Sequence, residues 1–305
     1  MAAAVTDRVQ EIDWENPEQV GLWKDAWQRF RRNPIAVLGL ALVAVIVLAA
    51  IGARVVFAFH LPILRDYLQQ DPANADLGLF SPGHILGSDE LGRDILSRML
   101  YGAGISLTIG VLTQCIYLVI GAAVGLTAGY CGGRLDNLLM RFVDVWYAFP
   151  DLLFLLVVVS VFGASLFTIF VAIGMIYWVD LARLIRGQVL SIKEKEYVEG
   201  ARAAGSSPLK IILRHLAPNA LGPVIVAVTF GIPRAIFLEA TLSFLGAGIV
   251  PPTPSWGVMI QQGYESIFSH PMEVTLPAVS IAITMLSFTF IGDGLRDSLD
   301  PRMRR

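Results

Sequence analysis

The chain has 305 residues, 55% hydrophobic and 16% charged, with a formal net charge of -2 and a mean hydropathy of +0.64. That apolar content exceeds what a soluble core of this length needs, so much of it must face lipid. The near-neutral charge argues against nucleic acid as a partner, since basic residues gather at predicted membrane edges rather than in one patch.

Six apolar spans follow in chain order. The first covers 35–53, an uncharged run of 19 residues, close to the about 20 that a bilayer core demands. It begins too late and runs too long for a cleaved leader, whose apolar part is ~7 to 15 residues, and is read as a retained anchor. The second lies at 105–129, the third at 138–163 and the fourth at 166–187, the last two parted only by the turn Gly163-Ala164-Ser165. The fifth lies near 220–246 and the sixth near 274–292. Pro150, Pro223, Pro233 and Pro277 fall within spans, where they should kink their helices. The predicted class is an all-α integral membrane protein with six transmembrane helices. Its regions are an N-terminal tail (1–34), a first span (35–59), an extracytoplasmic loop (60–104), a five-helix core (105–295) with an internal loop at 188–218, and a C-terminal tail (296–305).

Charge fixes the orientation. Of the 23 Lys and Arg residues, all but Arg54, Arg65, Arg93, Arg98 and Arg234 fall in the two tails or in the second-to-third and fourth-to-fifth connections and the adjoining edges of their spans, where Arg141, Arg183 and Arg186 lie. By the positive-inside rule both termini and the 188–218 loop are cytoplasmic. The opposite side holds 60–104, which is locally acidic and predicted to carry a short helix near 93–100, and 247–272, rich in turn formers. Trp256 in the latter suits a membrane interface.

The 188–218 loop reads as a helix-turn-helix elbow. Good helix formers run to Ala204, Gly205 can take the left-handed conformation that stops a helix, and Ser207 and Pro208 suit the N-cap and first position of the next helix. Gly200, Ala201, Ala203 and Ala204 leave little side chain between this element and whatever packs on it. On composition alone, a helical connection packed on its own bundle is the simpler reading.

Charged residues within spans are few and costly, about 2.5 to 3.5 kcal/mol each at the bilayer centre on insertion scales. Arg234 lies mid-span with Glu239 five residues on. The two either pair within the bundle or present Arg234 to a substrate carboxylate in a pathway. Asp144 and Asp180 are placed nearer the cytoplasmic ends, with Arg141 and Arg183 one helical step away as local partners. His60, His84, His215 and His270 show no metal-ligand spacing and read as surface or loop residues, so no metal site is predicted. Cys115 and Cys131 are 16 residues apart on one predicted helix, about 24 Å, too far to bridge. No phosphate loop and no G-x-S-x-G is present, so the chain is not predicted to be an enzyme.

Four stretches then carry a family resemblance: 87–94 (GSDELGRD), 199–205 (EGARAAG) with Pro218, 243–246 (SFLG) with 251–257, and 292–297 (GDGLRD). In this order around six spans they resemble the C-type permease subunit of oligopeptide and dipeptide ABC importers, as do 170–188 and 22–25. In that family the segment matching Glu199, Gly200, Ala201, Arg202, Ala203, Ala204, Gly205 and Pro218 docks into an ATPase. Gly200 departs from the usual first alanine, and His215 and Ala217 from the isoleucine and leucine preferred before Pro218. The resemblance implies half of a peptide pathway in a bacterial inner membrane. It also implies a second homologous permease, one or two ABC ATPase subunits that bind the ATP and Mg, and an extracytoplasmic peptide-binding protein. No cofactor is expected in this chain. The alternatives within the family are dipeptide or nickel-chelate import. A stand-alone secondary transporter would more often show inverted repeats and charge relays, and no repeat is seen here.

Overall fold

A computed structural model describes residues 22–300, so Arg8 of the N-terminal tail and Arg302, Arg304 and Arg305 of the C-terminal tail lie outside the described residues. Those described form helices and loops, with two isolated β-bridges and no strand. Helix α1 (Leu22–Arg32) already occupies part of the region read as a tail. It buries Phe30 and Ala26 while Trp23 and Trp27 remain exposed. Asn33 separates it from α2 (Pro34–Ala58) and accepts hydrogen bonds from the Ile35 and Ala36 N–H groups, with Pro34 at the first helical position.

The 60–94 cap is held by its own acidic residues. Asp89 accepts bonds from the Leu91 and Arg93 N–H groups and from Arg93 Nε at 2.7 Å. Asp94 caps helix α3 (Ile95–Cys131) through the Ser97 N–H at 2.8 Å, and its other oxygen lies 3.0 Å from His84 Nδ1. His84 is thus a buried anchor, 1% exposed, rather than a surface histidine. The short helix expected near 93–100 is the first turn of α3, which runs unbroken into the second span.

The third span differs most. It divides into α4 (Gly133–Tyr147) and α5 (Asp151–Phe162), bent by 82°. Pro150 at the junction supplies no N–H and holds an extended backbone, ψ 121. At about 1.5 Å per residue each half spans roughly 18 to 23 Å, too short to cross alone. Five helices are long and apolar enough to cross: α2, α3, α6 (Leu166–Ile192), the run 208–244, and α11 (Met272–Leu299), or six if the bent pair is one span. α10 (Trp256–Gly263) packs inside the end of the bundle that carries the cap, where Trp256 is 2% exposed and donates its indole N–H to the Met99 carbonyl. It is a core residue, contrary to the interfacial position expected.

A seam of glycines brings α3 against α6. A Cβ at Gly121 would meet Leu181 Cβ at 2.8 Å, at Gly125 the Ala182 carbonyl oxygen at 2.6 Å, and at Gly129 Val189 Cβ at 2.7 Å. The four-residue spacing places all three on one face, the small-residue pattern that lets helix backbones approach closely in a bilayer. Beyond the seam, a groove of about 800 Å³ is lined by Trp23, Gln188, Pro218, Asn219, Arg296 and Asp300. Helix α1, the elbow and the end of α11 therefore share one end of the bundle, and the cap and α10 occupy the other.

Gly125→Val should force α3 and α6 apart, at roughly 1 to 3 kcal/mol for overpacking. Gly187→Ala, where a Cβ meets nothing within 4 Å, should be neutral. Thermal unfolding in detergent checks both, and equal midpoints for wild type and Gly125→Val would contradict the seam.

Candidate functional site

The elbow at 188–218 is anchored from behind and open in front. Helix α6 ends at Ile192, and Lys193 ties the turn to α3 by donating to the Gly129 carbonyl at 2.9 Å. Helix α7 (Glu196–Ala203) follows. Gly205 then has φ +77, a conformation that suits glycine, and Ser207 caps α8 (Pro208–Ile211). The fully buried Val198 and Leu216 and the nearly buried Ile211 pack with Leu181, Ile185 and Val189 of α6. The outward face carries Glu199, Gly200, Arg202, Ala203, Ala204 and Gly205, all exposed, with Ala201 half-buried behind them. Leu209 and Leu213 extend that face as exposed apolar side chains. A Cβ at Gly200 or Gly205 would meet nothing within 4 Å, so small residues here are not required by packing within the chain.

No break separates the second arm of the elbow from the fifth span. Residues 212–216 form a π-helical turn leading into α9 (Ala217–Phe244), with the Ala217 N–H donating to the Ile212 carbonyl. Pro218 lies just beyond, and widening the preceding turn relieves the ring's clash with the carbonyl four residues back.

The pairing of Arg234 with Glu239 is not what the structure shows. Arg234 Nη1 lies 3.4 Å from Asp180 Oδ2, and its guanidinium sits 5.3 Å from the Tyr177 ring centroid. Asp180 lies near the middle of α6, not toward an end, and Asp144 is paired with Arg183 at 2.8 Å across helices. The local partnerships expected with Arg141 and Arg183 at three residues' spacing are thus replaced by cross-helix ones. Both members of the Arg234 pair are open, with 62% and 40% of their side chains exposed. Arg234 also borders two cavities, of about 280 Å³ with Trp146, Tyr147 and Asp151, and about 170 Å³ with Gln114, Tyr117 and Phe230. Two exposed charges halfway along spanning helices are too costly to face hydrocarbon. This face turns toward protein or water.

Glu239 faces the other way and has no exposed surface. Its carboxylate accepts from Ser255 at 2.7 Å, Ser243 at 2.8 Å and Ser106 at 3.2 Å, joining α9, α3 and the loop before α10. It is a structural acceptor, not a pathway residue. Sequence reasoning gave Asp180 a local partner and did not single out Tyr117 and Gln114, which are buried beside the smaller cavity, because nothing in the spacing said that α3, α6 and α9 converge there. A carboxylate inside an apolar span at Asp180, opposite in sign to Arg234, was the available signal.

Residues 121–305 match the model of the binding-protein-dependent transport system inner membrane component family, and 21–82 match the N-terminal TM domain of oligopeptide transport permease C. The oligopeptide transport system permease protein OppC of Bacillus subtilis (strain 168) is 40% identical over 288 residues, 94% of this chain and 92% of that protein. The dipeptide transport system permease protein DppC of the same organism is 41% identical over 302 residues, 98% and 92%. A solved inward-facing structure of the MetNI methionine ABC transporter shares the fold, with a TM-score of 0.54, 22% identity and coverage of 66% of this chain and 96% of that one.

Glu239→Leu should orphan three buried hydroxyls and cost roughly 2 to 4 kcal/mol, at about 1 to 3 per unsatisfied group after partial relaxation. Glu239→Gln keeps an acceptor and should lose no more than about half as much. Thermal unfolding of the purified chain reads both, and a Glu239→Leu variant as stable as wild type would contradict the role.

Proposed function

The chain belongs to the family of binding-protein-dependent transport system inner membrane components, and from that premise we propose that it is a permease subunit of an ATP-driven peptide importer. It forms one half of a translocation pathway and a second, homologous permease supplies the other. The observation that carries this reading is the elbow, a short helix and left-handed turn packed from behind by Val198, Ile211 and Leu216 and presenting small residues outward. Such a surface suits a groove on another subunit. An ABC ATPase is that subunit, whether supplied as two chains or one fused chain. ATP and Mg belong to it, because this sequence has no phosphate loop.

The basic residues flanking the elbow support a cytoplasmic location for it and for both termini. The cap and the α10 region then face outward, where a peptide-binding protein delivers substrate. The open face at mid-span carries Arg234 and Asp180, with the half-buried Tyr177 beside them and Tyr117 buried behind at the edge of the smaller cavity. A cation, a carboxylate and phenol rings suit a zwitterionic peptide passing between the two permeases. Relatives named for oligopeptide and for dipeptide transport support a peptide substrate of either length.

Placing valine at Gly205 penalises the φ +77 turn, and Glu199→Arg reverses the charge offered by the exposed face. Each variant should insert and assemble with its companion permease, yet lose at least about tenfold in peptide-stimulated ATP hydrolysis and uptake in proteoliposomes, a deficit of about 1.4 kcal/mol in coupling. Full activity in both would remove the elbow from the coupling pathway.

A further inference from the structure

At the end of the bundle away from the elbow, three side chains from two separate segments converge. Asp76 belongs to the 60–94 cap, His270 to the loop after α10, and Glu273 to the first turn of α11. Each offers one donor atom, and the three atoms lie within 4.8 Å of one another. Asp76 holds a left-handed backbone, φ 56, and its Oδ1 is 3.8 Å from His270 Nδ1.

Glu273 is the informative member. It is only 7% exposed, its Oε2 accepts from Ser266 Oγ at 3.1 Å, and its Oε1 is buried with no hydrogen-bond partner. A buried carboxylate oxygen without a partner is costly and calls for a ligand. Of the nearby guanidinium groups, Arg93 pairs with Asp89, and Arg98 bonds Gln262 at 2.6 Å and Asp89 at 3.4 Å while its Nη1 makes no hydrogen bond, to Glu273 or to any other group. Asp76 and His270 keep about 42% and 37% of their side chains exposed, so an ion can enter from solvent.

We propose that Asp76, His270 and Glu273 form a divalent-cation site that pins the cap to the start of α11, and that its donor set selects Zn2+. One imidazole nitrogen and two carboxylate oxygens match zinc's ligand chemistry, with water as the fourth ligand, whereas calcium and magnesium favour all-oxygen shells. Donors about 2.0 to 2.2 Å from a tetrahedral ion stand roughly 3.5 Å apart, so the widest pair must close by on the order of 1 Å. The exposed Asp76 side chain can supply that movement. The two carboxylates with a neutral imidazole carry the charge that a divalent ion offsets.

The test is titration of Zn2+ into the purified full chain in detergent, in a Cys115→Ser, Cys131→Ser background because both thiols are exposed and would bind the metal themselves. One Zn2+ per chain is expected at micromolar concentration. Asp76→Asn and His270→Gln, which alter exposed side chains and leave the core untouched, should each weaken that binding at least about tenfold, and His60→Gln should leave it unchanged. Zinc should also raise the thermal midpoint of the parent and of neither site variant, as expected for a ligand that binds only the folded chain. Equal zinc binding by parent and site variants would be adventitious and would overturn the proposal. No binding to the parent would overturn it too, and would leave Glu273 to pair with Arg98, whose Nη1 also lacks a partner.

Discussion

Close approach of α3 and α6 is the constraint from which the functional geometry follows. Gly121, Gly125 and Gly129 remove the side chains that would hold these helices apart, so Leu181, Ile185 and Val189 reach α3 while still packing on the elbow. In lipid, close van der Waals contact is a principal source of helix association, since hydrocarbon competes well for apolar side chains. The position of Val198, Ile211 and Leu216 therefore depends on a seam many residues away. A shift of α6 along α3 would carry the elbow with it, which is the mechanical property a coupling element needs.

The same helices divide their polar groups by purpose. Glu239 is satisfied internally by three serines and fastens the end of the bundle that carries the cap. Arg234 and Asp180 stay exposed on the opposite face of the bundle core, at a depth where lipid would penalise them. A single subunit with such a face is incomplete, and a second permease covering it would enclose a polar path without burying unpaired charge.

Much of this was legible in the sequence. Hydropathy located the long helices but not all their ends: α3 begins ten residues early because Asp94 caps it inside the cap region, the fifth helical run begins at 208 rather than near 220, and α11 continues to Leu299, past the expected 292. The elbow was readable in detail, since Gly205, Ser207 and Pro208 each have a local preference that nothing overrides. The 82° break at Pro150 was foreseen only as a kink, because a proline announces a lost hydrogen bond and not the angle its neighbours will take. Pairings were the least legible. Arg234 and Glu239 are five residues apart on one helix, about 500° of rotation, and so point to different faces. Apart from Ser243, one turn on in α9, their partners come from α6, α3 and the 247–255 loop, which only tertiary packing brings near. Trp256 was misplaced for the same reason, its indole N–H finding Met99 in α3.

The claim on which the mechanism rests is that the exposed side of α7 is the surface that meets the ATPase. Site-directed disulfide cross-linking tests it most directly, with Cys115 and Cys131 replaced by serine and single cysteines placed at Ala203 on α7 or at exposed Gln70 in the cap. Each is paired with a cysteine series across the ATPase surface. An Ala203→Cys cross-link that changes in yield with ATP, and none from Gln70→Cys, is the expected result. No cross-link from Ala203→Cys in an assembled, actively transporting complex would contradict it.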